Sequence, residues 1–465
     1  MRTMISQLEA KGLLKRIKVE VDGNCEMGAI TRRVFDQRGP ALLFENVKRS
    51  SHPYIVGLMG TYERYAMGIG CSSGGVGDIM DKVFQASRKP VPPVIIKDGL
   101  CQEIIDTGNE INLNRFAAPV WHEKDGGPYL GTLGLVITND PETGIRNVGI
   151  YRLMQLGPSR IGFNATQQAG IPLRKYEAMN KPMPVAVVIG LSPATIAGIC
   201  VRLPYGQDEF GVVGGIMGEP LKLVRCQTVD MEVPADAEIV IEGEVSPNRE
   251  DWIDEGPFGE FTGYYGQGRK APFINISAVT YRKDAIVQAT LEGRPPSEST
   301  TLRTIGHSVG LRRFLLSTGI PGIKDVFLSD EGCANFIAVV SLDKQFYAGQ
   351  AHQVIHAVWG SGMPGKFTIV TDGDVDVYNL NNVMWSVSTR VQPHRDVIIT
   401  NANLPTPDLD PSMPPELRKY PFAETSKMGI DATTKFKGFH YPDIISDESK
   451  TIALVDERWE KYGID

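Results

Sequence analysis

FINISAVTYR, residues 273–282, is the last in a series of strand-like segments that begins with LGTLGLVIT (130–138) and continues through PVAVVIGL (184–191) and EIVIEGEV (238–245). Each is short, rich in β-branched residues and separated from the next by glycine and proline, the composition of strands rather than of helices. The middle of the chain is therefore expected to form a mostly antiparallel sheet or barrel. The pattern differs on either side. MRTMISQLEAKGLLKRIKVEVD at the N-terminus predicts an amphipathic helix and then a strand, with Ile5, Leu8, Leu13 and Ile17 near helical spacing. ALLFENV (41–47) and PYIVGLMG (53–60) read as short buried strands. The proline-rich RKPVPPVIIKDG (88–99) and the polar CQEIIDTGNEINLNRF (101–116) mark a boundary. After residue 300, helix-like and strand-like segments alternate again: NFIAVVSLD (335–343), HQVIHAVW (352–359), KFTIVTDGDVDVYNLNNVMWSVSTRV (366–391) and DVIITNAN (396–403). The expected division is an α/β domain over 1–110, a β-rich domain over 111–305 and a second α/β domain over 306–465.

A chain of 465 residues exceeds what one core usually organises, and 42% hydrophobic with 22% charged residues is ordinary for a globular protein. The formal net charge of −7 argues against a nucleic-acid surface, which needs a basic face. No stretch approaches the roughly 20 apolar residues that span a bilayer. Six cysteines lie scattered without a CxxC pair, so neither a zinc site nor a disulfide framework is indicated, and they read as reduced thiols of a cytoplasmic protein. The N-terminus has no secretory apolar region.

Several stretches invite a chemical reading. GIGCSSGGVGDIMDKVF (68–84) resembles a phosphate-cradling loop but lacks GxxxxGK[ST] and GxGxxG, and reads as a plain loop before a helix. In DEGPFGEFTGYYG (254–266), Glu255 and Glu260 bracket a turn that Pro257 stiffens and in which Gly256 and Gly259 permit close approach. Either this is a solvated turn with two surface glutamates, or the carboxylates have unlike roles. In the second case Glu255 stays ionised against an arginine, and Glu260, flanked by Phe258 and Phe261, is desolvated and holds a proton. In NVGIYRLMQLGPSRIGFNATQQAG (147–170), read as a strand, a turn and a helix start, Arg152 sits at a strand position in an apolar run. It is there either a surface-paired residue or a buried anion holder. Asp372, Asp374 and Asp376 have metal-like spacing but read as capping and turn residues. His352 and His356 are four apart without the glutamate of HExxH and read as a helix face. Lys427 and Asp431 either close a pocket or pair structurally.

Taken together, NVGIYR, EGPFGE, DEFGVVGG (208–215), VPADAEIVIEGEV (233–245), DGDVDVYNLNNVMWSVSTR (372–390) and SKMGIDAT (426–433) resemble the UbiD family of reversible decarboxylases, which use prenylated FMN. EVDGNCEMGAITRRV (20–34) and HEKDGGPYLGTLG (122–134) are similar to segments of that family as well, so the likeness runs along nearly the whole chain. The resemblance implies a flavin-reductase-like split β-barrel in the middle, an N-terminal α/β domain and a C-terminal α/β domain that mediates assembly into a homodimer or homohexamer. It implies a small carboxylic acid as substrate, aromatic, heteroaromatic or α,β-unsaturated, CO2 as co-product, and a flavin prenyltransferase as the source of the cofactor. By motif, Arg152 matches the catalytic arginine that orients the carboxylate, Glu255 its partner and Glu260 the acid and base. Asn147, Ile150, Tyr151, Arg152, Gln167, Gln168 and Glu209 match cofactor-binding positions. Asn147, Gln168 and Glu209 match the site of a divalent metal, with K+ as an additional ion.

One position departs from the family pattern: Gln168 stands where many relatives have a metal-binding histidine, and no histidine occurs between His122 and His307. Two amides and a carboxylate suit Mg2+ or Mn2+, which accept oxygen ligands; the alternative is a weakened or lost metal site. LEGRPPSEST (291–300) and TLRTIGH (301–307) are expected to line the passage from the barrel to the C-terminal domain. Breaking an sp2 carbon–carboxylate bond leaves electrons that side chains cannot delocalise, so a cofactor is required. The alternative function is a flavin-binding redox protein, or a cofactor-binding subunit, without decarboxylase activity.

Overall fold

Helix Arg2–Ala10 buries Met4, Ile5 and Leu8, and Gly12, at φ 71°, turns the chain out of it. Leu13 and Ile17 consequently do not extend the helical stripe: Ile17 ends the strand Leu14–Ile17. These elements come from a computed structural model, which describes the chain apart from residues 166, 364, 403–409, 415, 417–424, 436–440, 446–447 and 465. Leu14–Ile17 pairs in parallel with Ala41–Phe44, the connection between them carrying helix Glu26–Asp36. Ala41–Phe44 pairs antiparallel with Tyr54–Val56, and every residue of both strands is buried, as their unbroken apolar runs demand. The fourth strand of this sheet, Val287–Ala289, arrives from beyond the barrel. The glycine-rich stretch is a loop between helices Tyr62–Ile69 and Val76–Arg88.

The strand-like segments of the middle join one large sheet. Across it the strands run Tyr129–Gly131, Leu153–Gln155, Arg160–Phe163, Phe273–Tyr281, Ile239–Val245, Met183–Ile189, Leu135–Asn139 and Arg146–Ile150, with Ile104–Thr107 added beside Phe273–Tyr281. The two ends of this order are joined by very short links. Residues 132–134 connect Tyr129–Gly131 at one end to Leu135–Asn139 near the other, and residues 151–152 connect Arg146–Ile150 to Leu153–Gln155. Links of two and three residues reach only about 10 Å, so the ends must lie side by side. The sheet therefore curls into a barrel split along that seam, and the amide of Tyr151 donates to the carbonyl of Gly134 at 3.1 Å, which extends the ladder of Leu135–Asn139 with Arg146–Ile150 into the two links.

Helix Glu298–Ser317 leads into the C-terminal unit, capped by the Ser297 hydroxyl, which accepts from the amide of Thr300. Its Glu298 carboxylate accepts from the amides of Gly57 and Met59 at 3.0 and 2.8 Å, tying this unit to the N-terminal one. The five strands run Ile323–Leu328, Ile337–Leu342, Phe367–Asp372, Thr425–Ala432 and Val397–Ala402, the middle three parallel. Helix Gln350–Gly360 packs Val354, Ile355 and Val358 into one core, and helix Leu380–Arg390 packs Val383 into another. Among the described residues no helix is long and apolar enough to cross a membrane.

Candidate active site

Arg152 lies in the two-residue link at the barrel seam, not on a strand, because the chain there crosses from one end of the sheet to the other. The segment 147–170 accordingly forms three strands and then a helix, Gly170–Ala178. Facing Arg152 is the glutamate loop. Ile253–Glu255 pairs with Arg269–Ala271; Gly256, at φ 86°, and Pro257 turn the chain; Phe258–Gly259 then pairs with Tyr265–Gly266. The loop is pinned from behind. The amide of Gly126 donates to the carbonyl of Pro257 at 2.7 Å, and the amide of Gly259 donates to Asp125 Oδ1 at 2.9 Å. A Cβ on Gly126 would lie 2.0 Å from the carbonyl oxygen of Gly256, so only glycine permits this approach.

Both glutamates of the loop are buried, at 0% exposure for Glu255 and 8% for Glu260, which removes the solvated-turn reading. Arg152 Nε and Nη2 donate to the two oxygens of Glu255 at 2.8 and 2.7 Å, a bidentate charge-assisted pair. Glu255 also accepts from the Tyr129 hydroxyl at 2.9 Å. Arg152 Nη1 donates to Glu260 Oε1, so the guanidinium is shared between the glutamates rather than held by Glu255 alone. The reason is the hairpin, which folds Glu260 back toward the same guanidinium. Burial works against the charge of Arg152, but its hydrogen bonds to Glu255 and the fields of Glu260 and Glu255 outweigh it and hold the pKa above the usual guanidinium range. Phe258 lies under the guanidinium, its ring centre 5.2 Å from Cζ.

A second cluster stands on the same short stretch. Asn147, on Arg146–Ile150, is buried, and its Nδ2 donates to the Thr138 hydroxyl at 3.5 Å. Glu209 opens helix Glu209–Met217, and its Oε2 accepts from the amide of Val148 at 3.2 Å. Burial pushes the Glu209 carboxyl up to about 8. Tyr151, where the strand ends, accepts from the amide of Ala169 at 3.2 Å and is hydrogen-bonded to Asn147; burial pushes its phenol up to about 12. Gln168 Nε2 donates to the carbonyl of Leu203 at 3.0 Å. Ile150 ends the strand, half-buried. Gln167 opens the turn Gln167–Ala169, and its side chain lies outside the described residues.

The donor chemistry of this cluster fits a hard cation. Asn147 and Gln168 use their NH2 groups on protein acceptors, leaving amide oxygens, and the Glu209 carboxyl is pushed up chiefly by burial and then by the charge of Asp208, influences that a bound cation would offset. Beside it the Arg202 guanidinium, whose charge burial opposes, has the chemistry to receive a phosphate. Among the described residues no three of His, Cys, Asp and Glu gather as a metal site.

The other candidates are structural. Arg390 pairs with Asp372 at 2.9 Å and Asp374 at 2.6 Å, and Asp376 accepts from the amide of Tyr378, so these aspartates hold a helix rather than a metal. His356 packs edge-on to Trp359 in helix Gln350–Gly360. Asp431 bonds to Thr433 and Lys435, not to Lys427, which is buried on the same strand. Sequence reasoning missed Tyr129 and Asp125, the second layer behind the glutamates. Both lie within HEKDGGPYLGTLG, where the paired glycines already signal a close backbone approach.

Comparison with known proteins accords with this arrangement. Family models of the UbiD 3-octaprenyl-4-hydroxybenzoate carboxy-lyase match residues 5–83 (N-terminal domain), 94–295 (Rift-related domain) and 300–432 (C-terminal domain). The UbiD-class enzyme HmfF from Pelotomaculum thermopropionicum, in complex with FMN, is 33% identical over 98% of this chain and 99% of that one, with a TM-score of 0.85. An evolved dimeric form of HmfF in complex with prFMN is 32% identical over 98% and 99%, with a TM-score of 0.83. The vanillic acid decarboxylase of Sedimentibacter hydroxybenzoicus, in closed form, is 30% identical over 100% and 98%, with a TM-score of 0.87. With all three domains matched in order and relatives of this identity along its full length, the chain belongs to the UbiD family of carboxy-lyases, the decarboxylases.

Proposed function

We propose that this chain catalyses the reversible, non-oxidative decarboxylation of an aromatic, heteroaromatic or α,β-unsaturated carboxylic acid with prenylated FMN as cofactor. The observation that carries the reading is one buried guanidinium, Arg152, hydrogen-bonded to both Glu255 and Glu260 at the barrel seam. Arg152 orients the substrate carboxylate. Glu255, fully buried and fixed by Tyr129, holds the guanidinium in place. Glu260 is the partner that retains some accessible side chain, 11% against 0% for Glu255, and so is the one able to meet substrate. A substrate carboxylate beside Arg152 adds a third negative group around one guanidinium, and the repulsion favours Glu260 taking up a proton. When the C–CO2 bond breaks, Glu260 delivers that proton to the carbon that lost CO2, and in the carboxylation direction it removes it.

Prenylated FMN, when bound, supplies the electron sink for the pair left by the departing CO2. Asn147, Gln168 and Glu209 would hold a divalent cation, Mn2+ or Mg2+, at the cofactor phosphate, with K+ as an additional ion, and Ile150, Tyr151 and Gln167 would flank the flavin. The reading extends to domain limits of 1–110, 111–305 and 306–465 along the chain, with strand Ile104–Thr107 paired into the barrel sheet, strand Val287–Ala289 into the N-terminal one and helix Glu298–Ser317 crossing the last limit; to a homodimer or homohexamer formed through the last domain, cofactor supplied by a flavin prenyltransferase, and a cytoplasmic location.

The test is to co-produce the chain with a flavin prenyltransferase, record the flavin spectrum and assay CO2 release from a panel of unsaturated acids. Glu260→Gln is expected to retain the flavin and lose turnover. A flavin-loaded protein that releases no CO2 from any acid, or full turnover in Glu260→Gln, overturns the reading in favour of flavin binding without decarboxylation.

A further inference from the structure

Asn147, Gln168 and Glu209 stand on three separate segments. Asn147 is on the strand Arg146–Ile150, Gln168 in the turn that leads into helix Gly170–Ala178, and Glu209 at the start of its helix, directly after residues 201–208. Residues 201–208, which carry Arg202, form neither helix nor strand, so contacts with neighbours must set their path. A cation such as Mg2+ demands near-ideal placement of its oxygen ligands, and something must hold the three segments in register. One buried carboxylate touches all three. Asp140, 2% exposed, lies in the turn that joins Leu135–Asn139 to Arg146–Ile150. Its Oδ1 accepts from the amides of Glu142 and Thr143 at 2.9 and 3.2 Å, closing the turn of the hairpin that bears Asn147. Its Oδ2 accepts from Lys175 Nζ at 2.7 Å, on the helix after Gln168, and from the hydroxyl of Tyr205, in the stretch before Glu209.

Burial works against the charge of Asp140, but hydrogen bonds from Lys175, Tyr205 and the two amides outweigh it and hold its pKa below the usual carboxylate range. Tyr205 is 42% exposed, between Pro204 and Gly206, whose φ of 89° makes the bend, yet its hydroxyl is turned to this buried carboxylate. From the far end of the same turn Arg146 Nη1 donates to Asp208 Oδ2 at 3.1 Å, so residues 201–208 are fastened to the hairpin at two points. Resting on the cation site of our proposed function, we infer that Asp140 is a positioning residue for it: by joining Lys175 to Tyr205, its Oδ2 fixes the spacing of Asn147, Gln168 and Glu209 around the cation and holds Arg202 toward the cofactor phosphate. The two oxygens have separable tasks. Asp140→Asn leaves Oδ1 on the amides of Glu142 and Thr143, a turn that asparagine closes as well, and puts in place of Oδ2 an NH2 group that accepts from neither Lys175 nor Tyr205. Lys175 keeps its second partner, Glu142 at 2.6 Å. Tyr205→Phe removes one arm alone, at an exposed position.

The experiment measures three quantities on the full chain: Mn2+ affinity with FMN bound, from the spin-resonance signal of free Mn2+; FMN Kd with and without Mn2+, from flavin fluorescence; and melting without either. Removing an outer support of a metal site costs about 10–100-fold in affinity, and a support that acts through two segments belongs at the lower end. Asp140→Asn is therefore expected to weaken Mn2+ binding about tenfold and Tyr205→Phe about threefold, and raising Mn2+ by the same factor restores FMN affinity. Mn2+ affinity within about twofold of the parent in folded Asp140→Asn, whatever its melting temperature, marks a purely structural ion pair and overturns the inference. So does a loss of FMN that added Mn2+ does not restore. A parent chain whose FMN affinity ignores Mn2+ overturns the cation site and this inference with it. Absence of CO2 release from any acid, with the Mn2+ pattern intact, would instead overturn the proposed reaction and leave the role of Asp140 standing.

Discussion

Gly266→Ala is expected to lower activity while leaving the fold as stable as before or slightly more so. A Cβ at this position would lie 3.1 Å from Glu260 Cγ, 3.2 Å from Glu260 Oε1 and 3.6 Å from Arg152 Nη1. The first two distances are shorter than ordinary contact, so the Glu260 side chain must retreat by roughly a few tenths of an ångström; the third asks nothing of Arg152. Misplacing a catalytic group by about 1 Å can cost about 100-fold, so a shift of this size corresponds to a loss near tenfold in kcat/KM. Gly266 does not occupy the left-handed backbone region, so alanine meets no strain there. Removing a glycine from the unfolded chain stabilises by about 0.4–1 kcal/mol. Activity and stability thus move apart, which distinguishes displacement of Glu260 from general damage. The assay pairs CO2 release by the cofactor-loaded enzyme with urea unfolding of the same preparation. Activity within twofold of the parent, or a loss of activity tracked by a loss of stability, would refute the reasoning.

Other outcomes follow from neighbouring geometry. Glu255→Gln, which leaves the Arg152 charge without its fully buried partner, should cost about 3–5 kcal/mol of stability in urea unfolding. Glu260→Gln, at a position with 11% of its side chain accessible, should cost clearly less, and equal losses would contradict the unequal roles. Arg390→Ala, which frees Asp372 and Asp374, should lower the melting temperature of the C-terminal unit without changing KM; a raised KM would place those aspartates in the site. His307 has a folded pKa near 3, below the usual histidine value, so the folded state holds fewer protons than the unfolded one as pH falls below about 6.5. Its contribution is complete above that pH and is lost toward the folded pKa, by at most about 1.4 kcal/mol per pH unit. Urea midpoints measured between pH 7 and 5 should therefore fall less steeply in His307→Asn, and parallel profiles would show that the histidine is not desolvated.

What could be read in advance follows from the range over which each feature is encoded. The strands Met183–Ile189, Ile239–Val245 and Phe273–Tyr281 were legible because each concentrates β-branched residues within a few positions, a signal that is wholly local. The ion pairs of Arg390 were not, because the spacing of Asp372, Asp374 and Asp376 does not reveal a partner lying on the next helix. The seam was also illegible, since it depends on which strands become neighbours after the sheet curls, and this is why Arg152 was expected on a strand and lies on a link. Residues 147–152 and 255–260 could be singled out from their residue types, but their meeting, across 103 positions from Arg152 to Glu255, emerges only in the fold. Arg303 fell within a segment expected to line a passage, while its direction depends on Glu292, eleven residues earlier on the other side of a turn.

The strand Val287–Ala289, which completes the N-terminal sheet beside Tyr54–Val56, sets a timetable for synthesis. At about 5–20 residues per second, the ribosome needs roughly 10–50 s to advance from the third strand of that sheet to the fourth. Through that interval the nascent N-terminal unit presents an apolar strand with a row of unpaired backbone groups, the kind of edge that recruits other chains. The barrel is made in the same interval, and its last long strand, Phe273–Tyr281, is followed after five residues by the missing fourth strand. Closing the barrel therefore delivers the strand that seals the first domain, so the two units mature together and a truncation anywhere between them leaves both unfinished.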